Sequence, residues 1–300
     1  MALPAEKMVR SVRLSPTEGR HPRSINLDKL PLAKAIALML SEDAKVPAKV
    51  LKEREAIEEA VQAIVQAFRH GGRLFYVGAG TSGRLGVLDA SECPATFRTP
   101  PQMVQGIIAG GRTALWRAVE GAEDDTEAGG RAVAERGVTR RDVVVGITAS
   151  GMAPFVWGAL REGKRRQATT ILLCFNPFLQ IPASLRPRIA LAPNLGPELL
   201  TGSTRLKAGT ATKLILNIFT TLAMARLGKV KSNLMVDVQP ANRKLRDRAV
   251  RIVQELTRVD YPTAQAALER SGWVVKNAAE RLSRKRRPRV RETSLGDNRR

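Results

Sequence analysis

The chain has 300 residues and a formal net charge of +22, from 50 Lys and Arg against 28 Asp and Glu. Apolar residues make up 43% and charged residues 26%, which excludes global disorder and supplies enough apolar surface for one large core or two ordinary ones. Two cysteines, Cys93 and Cys174, and two histidines, His21 and His70, exclude a disulfide framework and a Cys/His zinc centre.

The first 20 residues carry Glu6 and Arg10 where a signal peptide needs an unbroken apolar core. Residues 28–69 read as helices. Ala56, Ile57, Ala60, Val61, Ile64, Val65 and Phe68 follow the 3–4 spacing of one buried face, and 1–70 form an amino-terminal helical arm. From Arg73 the period changes. Short β-rich runs at 74–78, 103–110, 142–150, 169–176 and 188–193 alternate with helical or Gly-rich stretches. That alternation predicts an α/β domain over 71–238 with a doubly wound, largely parallel five-stranded sheet. A long helix over 204–227 closes it, starting after Gly202-Ser203. The apolar stretch Leu214–Leu227 falls short of the ~20 residues of a membrane span, so the chain is expected to be soluble and cytoplasmic. Residues 239–284 form a small helical region, with Pro262-Thr263 opening one helix and Gly272 stopping it. Residues 285–300 are a basic tail, read as disordered.

The charge is uneven: +3 over residues 1–70, +9 over 71–238 and +10 over 239–300, with +7 in the last 20. Such a run suits nucleic acid or an anionic surface. No aromatic residue accompanies it, so it offers no stacking platform, and a solvated tail explains it better.

Gly78-Ala-Gly80-Thr81-Ser82-Gly83 follows the first sheet strand and opens a helix, matching G-x-G-x-x-G. A dinucleotide would require an acidic residue ~20 positions on, and none occurs between Cys93 and Val119. Thr81 and Ser82 among glycines at a helix start suit a compact phosphate monoester. A tight turn that needs glycine only for its backbone is the plain alternative. Thr148-Ala149-Ser150-Gly151 and Gly202-Ser203-Thr204-Arg205 supply two more Ser/Thr-Gly turns, and in an open parallel sheet such loops converge on one crevice. Each hydroxyl taken singly is better explained as a helix cap than as a ligand. Glu92, about two turns into the helix after the glycine loop, and Glu123, after the second strand and its helix, come from separate elements. Two such carboxylates can divide acid and base roles. Glu120, Asp124, Asp125 and Glu127 read as a solvent-facing cluster, and no metal site is assigned to it.

Together GAGTSGRLGVLDASECPATF, AVEGAEDD, DVVVGITASG, GPELLTGSTRLKAGTATKLILN and LGKVKSNLMVDV resemble the N-acetylmuramic acid 6-phosphate etherase family, from about Ser15 to Arg248. The resemblance implies a sugar isomerase (SIS) fold, a small ubiquitin-associated-like (UBA-like) carboxyl-terminal region, a cytoplasmic role in peptidoglycan recycling and a homodimer. It implies a lyase that turns N-acetylmuramic acid 6-phosphate and water into N-acetylglucosamine 6-phosphate and D-lactate. Glu92 falls on the family's proton donor and Glu123 on its base, and neither metal nor redox cofactor is demanded. Gly80, Thr81, Ser82, Gly83, Arg84, Ser150, Gly151, Ser203, Thr204 and Lys207 are the expected substrate and phosphate contacts, with Arg205 nearby. The chain departs from the family pattern at Met152-Ala153, at His21 and in GKVKSN. A sugar-phosphate-binding regulator and an aldose–ketose isomerase on the same fold are the competing readings.

Overall fold

The computed structural model describes residues 9–286. Glu6 and all but the first two residues of the basic tail lie outside them. The chain divides into two compact units, one of Met1–Pro94 and Thr99–Gly228, the other of Ala95–Arg98 and Lys229–Arg300.

In the first unit a two-residue strand, β1 (Arg10–Ser11), precedes α1 (Leu32–Asp43), α2 (Val46–Leu51) and α3 (Arg54–Arg69). α3 buries Ile57, Ala60, Val61, Ile64, Val65 and Phe68, the face expected from their spacing. Then follow β2 (Leu74–Gly78), α4 (Gly80–Phe97), β3 (Val104–Ile108), α5 (Thr126–Glu135), β4 (Val143–Ile147), α6 (Pro154–Arg165), β5 (Thr169–Leu173), β6 (Leu179–Gln180), β7 (Ile189–Leu191) and α7 (Lys207–Arg226). The sheet order is β3-β2-β4-β5-β7, parallel throughout. Every residue of β2 and β4 is buried, which is why these strands read as continuous apolar runs. β1 pairs with β6 in a separate antiparallel ribbon that the sequence pattern did not disclose.

Three expectations are corrected. The long helix starts at Lys207, not 204, because residues 200–206 are taken up by turns. At 20 residues, with an 18-residue stretch of mean hydropathy 1.2, α7 does reach the length and composition of a membrane span; 56% of that stretch is buried, and the helix buries Ala211, Ile215, Leu216 and Phe219. No α-helix separates β3 from Glu123. The chain instead makes two 3-10 turns, Gly111–Leu115 and Ala122–Asp124.

Both cysteines are buried. The Cys93 thiol donates to the Asp89 carbonyl and the Cys174 thiol to that of Asn176. Burial pushes them up to about 12 and about 11.

The second unit holds α8 (Arg243–Thr257), α9 (Tyr261–Glu269) and α10 (Val275–Arg286) around Val238, Val250, Val253, Ala264, Leu268 and Val275. Asn242 caps α8 by accepting the Leu245 N–H, and Asp260 caps α9 by accepting that of Thr263. Pro262 therefore sits inside the first turn of α9, where its missing N–H costs nothing. Arg98, with φ +49, ties this unit together by donating to the Val238 and Trp273 carbonyls.

Candidate active site

The order β3-β2-β4-β5-β7 reverses direction between β2 and β4, and ligands of open parallel sheets bind outside the carboxyl ends of strands at such a point. Gly78 pairs with both Ile108 and Ile147, so the three strands end flush. β2 runs through Ala79 straight into Gly80–Gly83, the glycine turn that opens α4, and β4 runs into the loop Thr148–Gly151.

Two glycines shape the first loop. Gly80 has φ +52, which L side chains rarely adopt. A Cβ on Gly83 would stand 2.6 Å from the Gly78 carbonyl oxygen and from Ile108 Cγ1, so only glycine lets α4 start this close to the sheet. The Thr81 and Ser82 amides lie ahead of the first bond of α4, in which the Gly83 N–H donates to the Ala79 carbonyl. Among the described residues neither hydroxyl has a hydrogen-bond partner, so amides and hydroxyls alike are open to an anion.

The second loop is braced from below. Trp157 Nε1–H donates to the Gly151 carbonyl at 2.8 Å, and the buried Asn176 amide donates to that of Ser150 at 3.0 Å and to Ser11 Oγ at 3.1 Å. Ser150 Oγ accepts the Met152 N–H at 3.3 Å, and Met152 itself is 43% exposed. Sequence reasoning missed Asn176 and Trp157, whose partners are distant in the chain.

The third loop lies beside the first. A Cβ on Gly209 would sit 3.6 Å from Thr81 Cγ2 and 3.7 Å from the Thr204 carbonyl. The start of α7 is stoppered, however. Buried Glu198 accepts the Lys207 and Ala208 N–H groups at 3.0 and 2.9 Å. Burial raises its carboxyl above the ordinary range, against the pull of those amides and Lys207. Ser203 and Thr204 are therefore not the caps of this helix. Glu198 is the only carboxylate between Glu162 and Asp237, the one sequence signal that could have marked it.

Lys207 is 4% exposed, and its ammonium donates to the Leu195 carbonyl at 3.1 Å and lies 3.7 Å from Glu42. Glu42 also takes His21 at 3.3 Å, Arg23 at 3.1 Å and Lys45 at 2.5 Å. Burial opposes its charge, but hydrogen bonds from Lys45 and His21 hold its carboxyl at about 2. The buried network fixes the amino-terminal arm to the loop before α7, and the Ser24 hydroxyl adds a bond to the Leu199 carbonyl. Arg84 Nε donates to the Leu115 carbonyl at 3.3 Å, whereas Arg205 is exposed.

Glu92 is the thirteenth residue of α4, more than three turns from its start and not two, a rise of about 18 Å from Gly80. Its side chain is exposed, as is that of Glu123 on the 3-10 turn after β3. Among the described residues neither carboxylate has a hydrogen-bond or ion-pair partner. One turn before Glu92, Asp89 accepts from the Tyr76 hydroxyl at 3.0 Å and from that of Thr220 at 3.2 Å. Burial lifts its carboxyl to about 6 although both hydroxyls and Lys213 favour the anion, and the wholly buried Tyr76 phenol is raised as well. No group of three or more His, Cys, Asp or Glu able to hold a metal occurs among the described residues.

Residues 56–164 match the N-terminal SIS domain of glucokinase regulatory protein, and residues 232–292 match its C-terminal lid domain. The N-acetylmuramic acid 6-phosphate etherases of Gloeobacter violaceus and Gloeothece citriformis are 55% and 53% identical to this chain, each alignment covering 87% of it and 85% of the relative. A phosphoheptose isomerase from Francisella tularensis superimposes with a TM-score of 0.51 at 18% identity, over 65% of this chain and all of the other, a likeness of fold.

Proposed function

Because the chain belongs to the N-acetylmuramic acid 6-phosphate etherase family, we propose that the crevice between β2 and β4 performs that reaction with Glu92 as proton donor and Glu123 as base. The protein is a lyase that cleaves the lactyl ether of N-acetylmuramic acid 6-phosphate. In the open-chain sugar the C2 hydrogen is acidic because it lies α to the C1 aldehyde, and Glu123 removes it. The C3–oxygen bond then breaks while Glu92 protonates the departing ether oxygen, which leaves as D-lactate. Water adds its oxygen to C3 and a proton returns to C2, giving N-acetylglucosamine 6-phosphate. Each positioned carboxyl contributes typically 10²–10⁴-fold.

The observation that carries this reading is the family relationship over 87% of the chain, together with the open amides and hydroxyls at the start of α4. The substrate phosphate sits at Gly80, Thr81, Ser82 and Gly83, with Arg84 at its side, Ser150 and Gly151 across the crevice, and Ser203 and Thr204 on the third side. Lys207, already held by Leu195 and Glu42, acts as a structural cation beneath the loop and not as a phosphate contact.

The protein works in the cytoplasm, in peptidoglycan recycling, as a homodimer. Two features support the dimer. Glu92 is far along α4 from the phosphate loop, so a second copy can complete the site. On α1, Leu32, Ile36 and Leu40 form an i, i+4, i+8 stripe that is 77%, 49% and 65% exposed and needs a cover. Incubating the purified full chain with N-acetylmuramic acid 6-phosphate is expected to release D-lactate and N-acetylglucosamine 6-phosphate in equal amounts. Binding of the sugar phosphate without lactate release would instead mark a regulator.

A further inference from the structure

Between β3 and α5 the chain makes an excursion over residues 109–125 that carries Glu123. It is anchored at several points. The Ala109 N–H donates to the Gly78 carbonyl, Arg84 holds the Leu115 carbonyl, Ala114 is buried, and Ala122 packs on the core. Val119 folds back so closely on Gly110 that a Cβ there would lie 2.8 Å from its own Cβ. Between these anchors Trp116 is 87% exposed, the highest value among the exposed large apolar residues described.

An indole left in water at a rigidly held point is an unspent apolar surface. The other two tryptophans are used within the fold: Trp157 is buried with its N–H on Gly151, and Trp273 lies under the Arg246 guanidinium at 5.2 Å. Trp116 follows directly on Leu115, whose carbonyl is tied to the first turns of α4, and precedes Glu123 by seven residues on the same excursion. Arg112 and Arg117 flank it, both exposed, and neither guanidinium has an ion-pair or hydrogen-bond partner among the described residues. The loops at Gly80–Gly83 and Ser150–Gly151 offer hydroxyls and amides, which suit a phosphate. They offer little to the acetamido methyl, the lactyl methyl and the C–H faces of the sugar.

We propose that Trp116 is a substrate-contacting, specificity-determining residue whose ring covers the apolar groups of an N-acetylated, lactyl-bearing sugar phosphate, with Arg112 and Arg117 facing its carboxylate. The proposal rests on the etherase reading of the adjacent crevice. It predicts that Trp116 selects for the amino sugar over an unsubstituted hexose phosphate, which lacks the methyl groups the ring would cover.

Acrylamide quenching of tryptophan emission tests it on the full chain. In the ligand-free protein Trp116 should be the readily quenched emitter, and N-acetylglucosamine 6-phosphate, the product, which has no lactyl ether left to cleave, should shield it more than glucose 6-phosphate does. Trp116→Ala should lose that shielding and lower kcat/KM for N-acetylmuramic acid 6-phosphate about 10- to 100-fold, mainly through KM. Trp116→Phe should keep most of the activity. Because the side chain is exposed, unfolding temperatures of both variants should match the unsubstituted protein. A Trp116→Ala enzyme within twofold of the unsubstituted kcat/KM, or an indole already shielded without ligand, would overturn the proposal. If the unsubstituted protein releases no D-lactate yet its indole is shielded by the amino sugar phosphate, the etherase reading fails and the contact stands. Lactate release without shielding has the opposite meaning.

Discussion

α4 and α7 begin side by side, with Thr81 of one against Gly209 of the other, but their first amides serve different ends. In α7 the Lys207 and Ala208 N–H groups are closed by Glu198, a carboxylate the chain supplies itself. In α4 the amides of Thr81 and Ser82 meet no carboxylate among the described residues. A helix start favours negative charge through its free N–H groups and its dipole. One of these neighbours has that charge built in; the other has its amides open, which is where the proposed function puts the substrate phosphate. The difference shows that a Ser/Thr-Gly turn before a helix says little until the acceptor of its amides is known.

The largest expected break in this comparison is chemical and lies on α4. Glu92→Gln, and Glu123→Gln on the neighbouring excursion, should each lower kcat by about 10²–10⁴ in a D-lactate assay, with circular dichroism unchanged. Removing the internal anion of α7 comes next. Glu198→Ala leaves the buried Lys207 and Ala208 amides without an acceptor and should cost about 3 kcal/mol in urea unfolding, whereas Glu198→Gln should cost less. Gly83→Ala presses a methyl into Gly78 and Ile108 and should destabilise by about 1–3 kcal/mol while raising KM. Thr81→Ala and Ser82→Ala should leave stability within about 0.5 kcal/mol and raise KM several-fold, since their hydroxyls bond nothing else among the described residues.

The smallest effect is a pH dependence of stability with two opposed limbs. Glu42, held at about 2 in the folded state against 4.5 unfolded, contributes stability above pH 4.5 that is lost as pH falls through 2. Asp142, lowered by hydrogen bonds from Arg73 and Thr139 that outweigh its burial, adds to the same limb. Asp89, raised to about 6, acts the other way. Its buried charge costs stability above pH 6, and the cost is relieved as pH falls from 6 toward 3.8. Melting temperatures over pH 3–8 should therefore peak between about pH 4 and 4.5, and Asp89→Asn should flatten the alkaline limb.

The five sheet strands were legible because parallel strands covered on both faces read as short unbroken apolar runs. The α3 face was legible from its period, and the convergence of the Gly80–Gly83 and Gly202–Thr204 loops from general rules of parallel sheets. What escaped depends on contacts between distant residues. The start of α7 is set by Glu198 and by turns over 200–206, the β1–β6 ribbon has two residues per strand and so no period, and Asn176 braces Ser150 from another loop. The location of Glu92 differs from expectation for a simpler reason: α4 begins at Gly80 itself, so Glu92 lies twelve positions along the helix.

The two sequestered thiols have a practical consequence. At neutral pH both Cys93 and Cys174 stay protonated and inaccessible, and only the thiolate reacts with alkylating reagents. The intact protein should therefore be indifferent to iodoacetamide and to air oxidation, and can be handled without reductant. Cys93 lies one residue beyond the proposed proton donor and Cys174 just beyond β5. The rate at which each is labelled thus becomes a clock for local opening at those two places.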